Sequence, residues 1–250
     1  MLTWLAPLFA LTALVYASVG FAGGSTYTAL LVLAGVSLAL VPVISLACSI
    51  VVATGGVIRF ARAGHIAWQR CWPLLLVSVP LAWIGGRLPI EPNLFVILLG
   101  GSLAVAGLLL VLGPDHSATR APVDPRRGAG LLAIAIAAPL GLLSGLVGIG
   151  GGIFLAPVLH LMGWDSARRI AGTAALFILV NSIAGIAGQF AKLNDAELVS
   201  HALDWWPLVV AVLIGGQVGS VLGVKYFPQA VIRRVTGAVV LFAAGRLLLE

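Results

Sequence analysis

The sequence predicts an all-α, polytopic membrane protein built from two inverted repeats. Three observations lead to this prediction: the chain is 61% hydrophobic and only 9% charged, apolar runs recur along its whole length, and its second half repeats the pattern of its first. Soluble domains carry about 25% charged residues. Because a soluble fold cannot bury so much apolar surface and lipid solvates it, we expect the lipid bilayer to be a main partner of this chain.

Each half is predicted to contain five helical segments: a long helix, a short helix that opens at a glycine-rich break, and three more long helices. In the first half they cover about 2–19, 25–35, 38–59, 70–88 and 92–112. In the second half they cover about 129–147, 153–162, 168–190, 205–224 and 229–249. Most long segments, with their flanks, reach the roughly 17–25 residues of a spanning helix. The short segments rise about 1.5 Å per residue and cross only about half to two thirds of a ~30 Å core.

The two halves are joined by a segment rich in proline, glycine and charge, which its composition predicts to be a surface linker. The chain therefore divides into a first membrane repeat, 1–113, a linker, 114–128, and a second membrane repeat, 129–250. The repeats align through their glycine clusters, since Gly148–Leu159 lies 128 positions after Gly20–Leu31. Weak internal symmetry of this kind is typical of transporter folds.

The basic residues predict how the chain crosses the membrane. Without a change of direction at the glycine breaks, the 14 basic residues divide 8 to 6 between the two sides. With a reversal at each break they divide 11 to 3, which agrees with the excess of Lys and Arg in cytoplasmic loops. We therefore expect halves that are inverted relative to each other and both termini outside the cell. Charge counting leaves open whether each break is a re-entrant hairpin or the end of a full crossing.

The net charge of +6 does not indicate a nucleic-acid partner. Basic residues in membrane proteins collect in cytoplasmic loops and set orientation, and this sequence has no basic tract with interleaved aromatic residues. We therefore expect no binding of nucleic acid.

Two glycine clusters interrupt the helical pattern, and each precedes a short helix. Their glycines are Gly20, Gly23 and Gly24 in the first half and Gly148, Gly150, Gly151 and Gly152 in the second. Successive glycines form helix poorly and adopt backbone angles that other residues avoid. In lipid, irregular backbone is tolerated where it is buried in protein or lines a cavity, and the N-terminus of the following helix attracts anions. We expect these clusters to bind substrate, and a purely structural hinge is the alternative.

The polar residues of the predicted helices favour an anionic substrate. All eight acidic residues fall in predicted loops or at the end of the chain, whereas cation transporters usually carry an intramembrane acid. Neutral side chains remain, and we expect Ser25, Thr26, Asn181 and Gln217 to complete the coordination of a small anion. Asn181 lies in the middle of a predicted span, where its amide is costly to bury alone. A hydrogen bond between helices is the alternative role for it.

The same inventory excludes most enzyme chemistry. A membrane enzyme would need an acid–base pair or metal ligands within the bundle, and the predicted spans hold neither an acid nor a histidine cluster. We therefore expect no catalytic residue, no metal site and no cofactor.

The second glycine cluster and its surroundings resemble a known family. The segment Gly141–Pro157, GLLSGLVGIGGGIFLAP, followed by a mid-span Asn181, resembles the TauE/SafE family of sulfite and organosulfur anion exporters, and the resemblance covers nearly the whole chain. It implies a secondary carrier of the bacterial cytoplasmic (inner) membrane that exports small anions such as sulfite or sulfonates. The family motif falls on Gly148, Gly150, Gly151, Gly152, Pro157 and Asn181.

The first copy departs from the family motif. Ala22 replaces the first glycine of the triplet, Ala29 stands in place of the proline, and Ala53 stands opposite Asn181. The two half-sites are therefore expected to be unequal.

The sequence thus predicts a transporter that exports a small anion by alternating access, with one repeat moving against the other. An inside-negative potential favours anion efflux by about 2.3 kcal/mol per charge per 100 mV. Two alternatives stay open: an anion channel of the same architecture and a non-transporting membrane subunit. The identity of the anion, its coupling to other ions and the formation of a homo-oligomer also stay open.

Overall fold

A computed structural model describes residues 2–18, 20–112, 127–192 and 203–223, together with single residues or pairs between 237 and 248. Its helices are α1 (Leu2–Ser18), α2 (Gly24–Leu33), α3 (Val41–Arg62), α4 (Trp68–Arg87), α5 (Pro92–Leu112), α6 (Arg127–Val147), α7 (Gly152–Leu161), α8 (Ala167–Lys192) and α9 (Trp206–Gly223). All regular secondary structure in the described ranges is helical, so the predicted all-α class is confirmed.

The helix boundaries agree with the predicted segments to within three residues. One boundary moves into the linker, because α6 begins at Arg127 and takes up the last two positions of 114–128. The rest of the linker and most of 229–249 lie outside the described residues. The division of the chain into domains stays a prediction.

Both short helices begin after a glycine in the left-handed conformation. Gly23 caps α2 with a φ of 86°, and Gly151 caps α7 with a φ of 72°. A side chain on such a backbone clashes with the following carbonyl group, so glycine is the residue that fits there without strain. Each helix is 10 residues long, which corresponds to about 15 Å or half of a ~30 Å core. The predicted breaks and short helices are therefore present.

The closest helix pairs join one half of the chain to the other. Helix α1 packs against α9, and α4 packs against α6 and α8. A Cβ atom on Gly219 would collide with the carbonyl group of Leu14, and one on Gly85 would collide with that of Leu142. These two contacts are equivalent. The leucines are 128 positions apart, like the glycine clusters of the two repeats, and the glycines are 134 apart, like the Trp-Pro pairs at Trp72 and Trp206. Glycines that let helix backbones approach closely are typical of membrane helix pairs.

Helices α3 and α8, the third helix of each half, run antiparallel through the bundle. A Cβ atom on Gly185 would lie 3.2 Å from Leu46, and one on Gly172 would lie 3.3 Å from Phe60, so positions rise along α3 as they fall along α8. Inverted halves require this antiparallel arrangement of equivalent helices. The inversion of the complete halves stays a prediction, since the last segment of the second half is largely outside the described residues.

Arg70, at the start of α4, ties the α3–α4 and α7–α8 loops together. Its guanidinium group lies 3.1 Å from the carboxylate of Asp165, donates to the carbonyl oxygen of Trp164 at 2.6 Å, and sits 5.2 Å from the centre of the Trp164 ring. The two loops therefore lie at the same end of the bundle. A chain that did not reverse at the glycine breaks would place them at opposite ends, so this contact favours the 11-to-3 distribution of basic residues. The side on which the termini lie stays a prediction.

The outer surface of the bundle is apolar. By length and composition, α3, α5 and α8 are apolar enough to span a bilayer, and α1, α2, α6 and α9 contain shorter apolar stretches. Side chains such as Leu76 and Ile97 are 67% and 59% exposed. Contiguous apolar surface suits lipid rather than water. The acidic residues within the described ranges, Glu91, Asp165 and Asp204, all lie outside the helices.

Candidate functional site

The two glycine breaks come from different halves of the chain and touch each other. A Cβ atom on Gly24 would lie 2.6 Å from the carbonyl oxygen of Ile149, which is closer than real contacts allow. A Cβ atom on Gly148 would lie 2.6 Å from the Cα atom of Pro42, at the start of α3. The structure thus brings together the two predicted clusters, and a side chain at Gly24 would push the breaks apart.

Ser45, on α3, links the two breaks through its hydroxyl group. The Ser45 Oγ atom lies 2.9 Å from the carbonyl oxygen of Gly24 and 2.8 Å from that of Gly148. The Thr28 Oγ1 atom lies 2.9 Å from the same Gly24 oxygen and 2.9 Å from Ser45 Oγ. Both side chains are fully buried. Since a hydroxyl group has one proton to donate, Ser45 shares it between carbonyl groups of opposite halves.

A small, partly open cavity lies where the breaks meet. Its volume is about 10 Å³, which is near the minimum that holds one water molecule. The first half contributes Tyr16 and residues 21–25 to its lining, and the second half contributes Ile149, Ile153 and Ile178. An anion larger than water therefore enters only if the breaks move apart.

Two buried hydroxyl groups beside the first break have no hydrogen-bond partner among the described residues, and they belong to Tyr27 and Ser49. The Tyr27 oxygen lies 3.1 Å from the position of a Cβ atom on Gly23, and Ser49 Oγ lies 2.7 Å from the position of one on Gly24. A buried polar group left without a partner costs about 1–3 kcal/mol. No described residue uses the donor capacity of these two groups.

The second break has a similar pair in Ser144 and Ser182, which are buried and lack a partner within the described part of the chain. Ser182 Oγ lies 3.2 Å from the position of a Cβ atom on Gly150, and the Cβ atom of Ser144 lies 3.5 Å from that position on Gly151. Each break is thus flanked by two buried hydroxyl groups that have no partner among the described residues.

Tyr16, at the end of α1, organises the first turn of α2. Its hydroxyl group lies 2.8 Å from Thr26 Oγ1 and 3.3 Å from Ser25 Oγ. All three side chains are buried. The predicted pair Ser25 and Thr26 is therefore held at the N-terminus of the helix by a residue of the preceding helix.

Asn181 is fully buried on α8, one helical turn beyond Ile178. Its amide donates to the carbonyl oxygen of Phe177 at 2.8 Å, so its hydrogen bond stays within α8 and does not join two helices. One N–H of the amide is left over, and the Oδ1 atom has no partner among the described residues.

Of the predicted site residues, Gly23, Gly24 and Ser25 line the cavity, and Gln217 and Gly20 lie away from the junction of the breaks. Arg59 donates to the Oε1 atom of Gln217 at 3.1 Å on an exposed face of the bundle. A Cβ atom on Gly20 would face the ring of Phe60 at 3.2 Å. The structure does not bring Gln217 or Gly20 to the junction of the breaks.

A family model described as "Sulfite exporter TauE/SafE" matches residues 5–247. The chain belongs to the TauE/SafE family. This TauE/SafE chain is 30% identical over 244 residues to a "Probable membrane transporter protein y4hK" of Sinorhizobium fredii, with 98% of this chain and 97% of the relative covered. It is 25% identical over 173 residues to a "Probable membrane transporter protein" of Xylella fastidiosa, with 68% of this chain and 63% of the relative covered. No solved structure matches the chain. The resemblance seen in Gly141–Pro157 is thereby confirmed.

Two residues of this TauE/SafE chain, Tyr16 and Ser144, lie at the junction without being predicted site residues. Each lies in the apolar helix that precedes a break, and the local composition there does not distinguish it from the rest of the span. Ser144 lies 128 positions after Tyr16, which is also the separation of Gly148 from Gly20. The repeat offset was therefore the pattern that would have found them. Within the described residues, no three His, Cys, Asp or Glu side chains are grouped as a metal site would require.

Proposed function

We propose that this TauE/SafE chain is a membrane transporter for a small anion, which binds where the two glycine breaks meet. The observation that carries the proposal is the contact between two irregular backbone segments of opposite halves beside buried hydroxyl groups without partners. Such groups are costly to keep in an apolar bundle. A ligand that accepts hydrogen bonds would remove that cost.

The chemistry of the junction favours an anion over a cation. The first N–H groups of a helix have no intrahelical acceptor and carry about +0.5 charge, and α2 and α7 both begin at the junction. The nearby hydroxyl groups are further donors. None of the acids within the described ranges lies in a helix, so no fixed negative charge there would repel an anion.

Transport requires the junction to open, because the cavity holds only about 10 Å³. We propose alternating access in which two units move against each other. Each unit combines the first three helices of one half with the fourth helix of the other half. One unit is α1, α2, α3 and α9, and the other is α6, α7, α8 and α4. The two clusters of buried apolar side chains follow mainly this division. The close backbone contacts of α1 with α9 and of α4 with α6 fall within the units, so the moving units differ from the two sequence halves.

The membrane potential of the bacterial cytoplasmic membrane favours export as the direction of transport. The family description names a sulfite exporter, and the relatives are bacterial proteins named as probable membrane transporters. An inside-negative potential adds about 2.3 kcal/mol per charge per 100 mV to anion efflux. Export therefore needs no coupled ion.

Thermal unfolding of the purified protein in detergent tests anion binding. The panel is sulfite, thiosulfate, sulfoacetate, taurine and simple carboxylates, and we expect at least one to raise Tm. A ligand at 100 times its Kd stabilises the folded state by about 2.7 kcal/mol.

The matched variants are Gly24→Ala and Gly101→Ala. The methyl group at Gly24 pushes against Ile149, whereas one at Gly101 meets nothing within 4 Å. We expect Gly24→Ala to lose the ligand-induced rise in Tm and Gly101→Ala to keep it. The absence of any rise across the panel, or an equal rise in both variants, would contradict the proposed site.

A further inference from the structure

An apolar groove of about 350 Å³ lies between α4 and α8, away from the junction of the breaks. Apart from Cys71, the residues that line it are all apolar or aromatic. Trp68 and Trp72 stand at one end, and each exposes more than half of its side chain. At the same end, the Cys71 Sγ atom lies 3.3 Å from Thr173 Oγ1 and joins the two helices. The groove is therefore a distinct concave site on an otherwise convex apolar surface.

The groove has the length of one membrane leaflet. Along α4 it runs from Trp68 to Pro80, which corresponds to about 18 Å. On α8 it ends at Val180, in the middle of Ala167–Lys192. One leaflet is half of a ~30 Å hydrocarbon core. An acyl chain runs from the membrane surface to the midplane and matches this length, whereas a helix from a second copy of this chain would extend across both leaflets.

The tryptophan end of the groove lies at the membrane surface. Trp68 is the first residue of α4, and Arg70 connects this end of the helix to the α7–α8 loop. Tryptophan is enriched where the hydrocarbon core meets the lipid head groups. The groove therefore opens at the level of the head groups and ends near the middle of the bundle.

Positive charge surrounds the open end of the groove. Residues 62–70 and 162–169 contain four arginines and one acid, Asp165, so they carry an excess of three positive charges. Arg70 pairs with Asp165 at 3.1 Å, and Arg169 lies 3.7 Å from the same carboxylate with 52% of its side chain exposed. Because one carboxylate neutralises one guanidinium group, Asp165 leaves positive charge at this position for an anionic group.

Arg169 belongs to the side of α8 that forms the groove. Thr173, Leu176 and Val180 follow it by four, seven and eleven positions, so the four residues lie along one face of the helix. Thr173 contacts Cys71, and Leu176 and Val180 line the groove. A lipid whose chain filled the groove would therefore carry its head group at the level of Arg169. A guanidinium group binds phosphate through charge-assisted hydrogen bonds.

We propose that this groove binds an anionic phospholipid, with one acyl chain between α4 and α8 and the phosphate at Arg169. The chain covers the apolar lining, and the phosphate compensates the excess positive charge. Because the groove is separate from the junction of the breaks, lipid binding does not depend on which anion is transported.

Native mass spectrometry of the purified protein in detergent tests the head group. The two probes are dioleoylphosphatidylglycerol and dioleoylphosphatidylcholine, which share their acyl chains and differ in charge. We expect the anionic lipid to bind several times more tightly. Arg169→Gln should weaken its binding about fivefold, the effect of one basic residue near an anionic surface, and leave binding of the neutral lipid unchanged.

Arg168→Gln is the matched control for Arg169→Gln. Arg168 is also exposed and lies about 100° around α8 from the groove face, so this variant should keep the parental affinity for both lipids. Equal binding of the two lipids by the parent protein, or equal losses in the two variants, would overturn the proposed site.

A second set of variants tests the acyl chain. Val180→Trp fills the midplane end of the groove, so we expect it to weaken dioleoylphosphatidylglycerol and to spare dihexanoylphosphatidylglycerol, whose chains do not reach that end. If Val180→Trp fails to fold, Leu76→Trp places the same bulk at an exposed position of the groove. Ile97→Trp, on the exposed face of α5, is the control.

Two results of this second set would overturn the proposal. One is unchanged affinity for the dioleoyl lipid in a folded groove variant, which would show that no acyl chain lies there. The other is a dimer that the groove variant abolishes and that added lipid leaves intact, which would show that a second copy of this chain occupies the groove.

Discussion

At the scale of single residues, Ser45 joins the two breaks through one hydroxyl group. Its Oγ atom lies 2.9 Å from the carbonyl oxygen of Gly24 and 2.8 Å from that of Gly148, so it contacts the backbone of both halves. Because the site is fully buried, water does not replace these bonds when the side chain is removed. Ser45 therefore stabilises the closed junction.

We expect Ser45→Ala to lower the free energy of unfolding by about 1–3 kcal/mol, since the buried carbonyl group of Gly148 loses its donor at 2.8 Å while that of Gly24 keeps Thr28. Chemical unfolding in detergent measures the change. Ser102→Ala is the control, because the Ser102 hydroxyl donates to the carbonyl oxygen of Leu99 in its own helix, at 2.8 Å. Equal losses in the two variants would contradict a special role for Ser45.

At the scale of helices, glycine allows two distinct kinds of contact. Gly23 and Gly151 end the breaks with left-handed backbone, so that α2 and α7 start inside the bundle. Gly85 and Gly219 lie within regular helix and allow the backbones of α4 and α9 to touch α6 and α1. The first kind forms the junction, and the second holds each unit together.

We expect Gly85→Ala and Gly219→Ala to destabilise the fold by similar amounts, about 1–3 kcal/mol each, because both methyl groups would collide with backbone. Gly101→Ala should be neutral or slightly stabilising, since alanine is the better helix former and the space is open. The shift in Tm measures all three. A large loss in only one of the first pair would show that the two contacts are not equivalent.

At the scale of the whole molecule, each half packs one of its helices against the other half. Each half places its first helix against the fourth helix of the other, and the equivalent helices α3 and α8 run antiparallel between them. In the proposed alternating access, a movement that keeps the α1–α9 and α4–α6 pairs intact would separate the glycine breaks and open the cavity.

The inverted arrangement predicts the location of the termini. Because Cys48 and Cys71 are buried, replacing both gives a background for single-cysteine labelling in intact cells. We expect a cysteine added at the N-terminus to react with an impermeant maleimide from outside, and Arg62→Cys to react only after permeabilisation. If the cysteine of Arg62→Cys reacts from outside and the N-terminal cysteine reacts only after permeabilisation, the assigned orientation is reversed. Reaction of both cysteines from outside would contradict the reversal of the chain at the first break.

Sequence reasoning succeeded where the physical constraint is local or compositional. Apolar length and glycine clusters located α2 and α7, since lipid leaves the backbone few alternatives to helix. It does not reach features that depend on helix packing. The polarity of Gln217 predicts a site residue, whereas in the fold its side chain accepts from Arg59 on an exposed face, and its part in binding stays a prediction. Tyr16 was missed because nothing in its own helix shows that its hydroxyl meets Thr26.

The most direct test of the central claim is anion flux through purified protein in liposomes. We predict saturable export of an anion, and we expect an anion placed on the opposite side of the membrane to accelerate it by exchange. We also predict loss of this flux in Gly24→Ala but not in Gly101→Ala. Single-channel currents from the same preparation would show that the protein is an anion channel and not a carrier. The absence of flux for every anion of the panel would contradict the account.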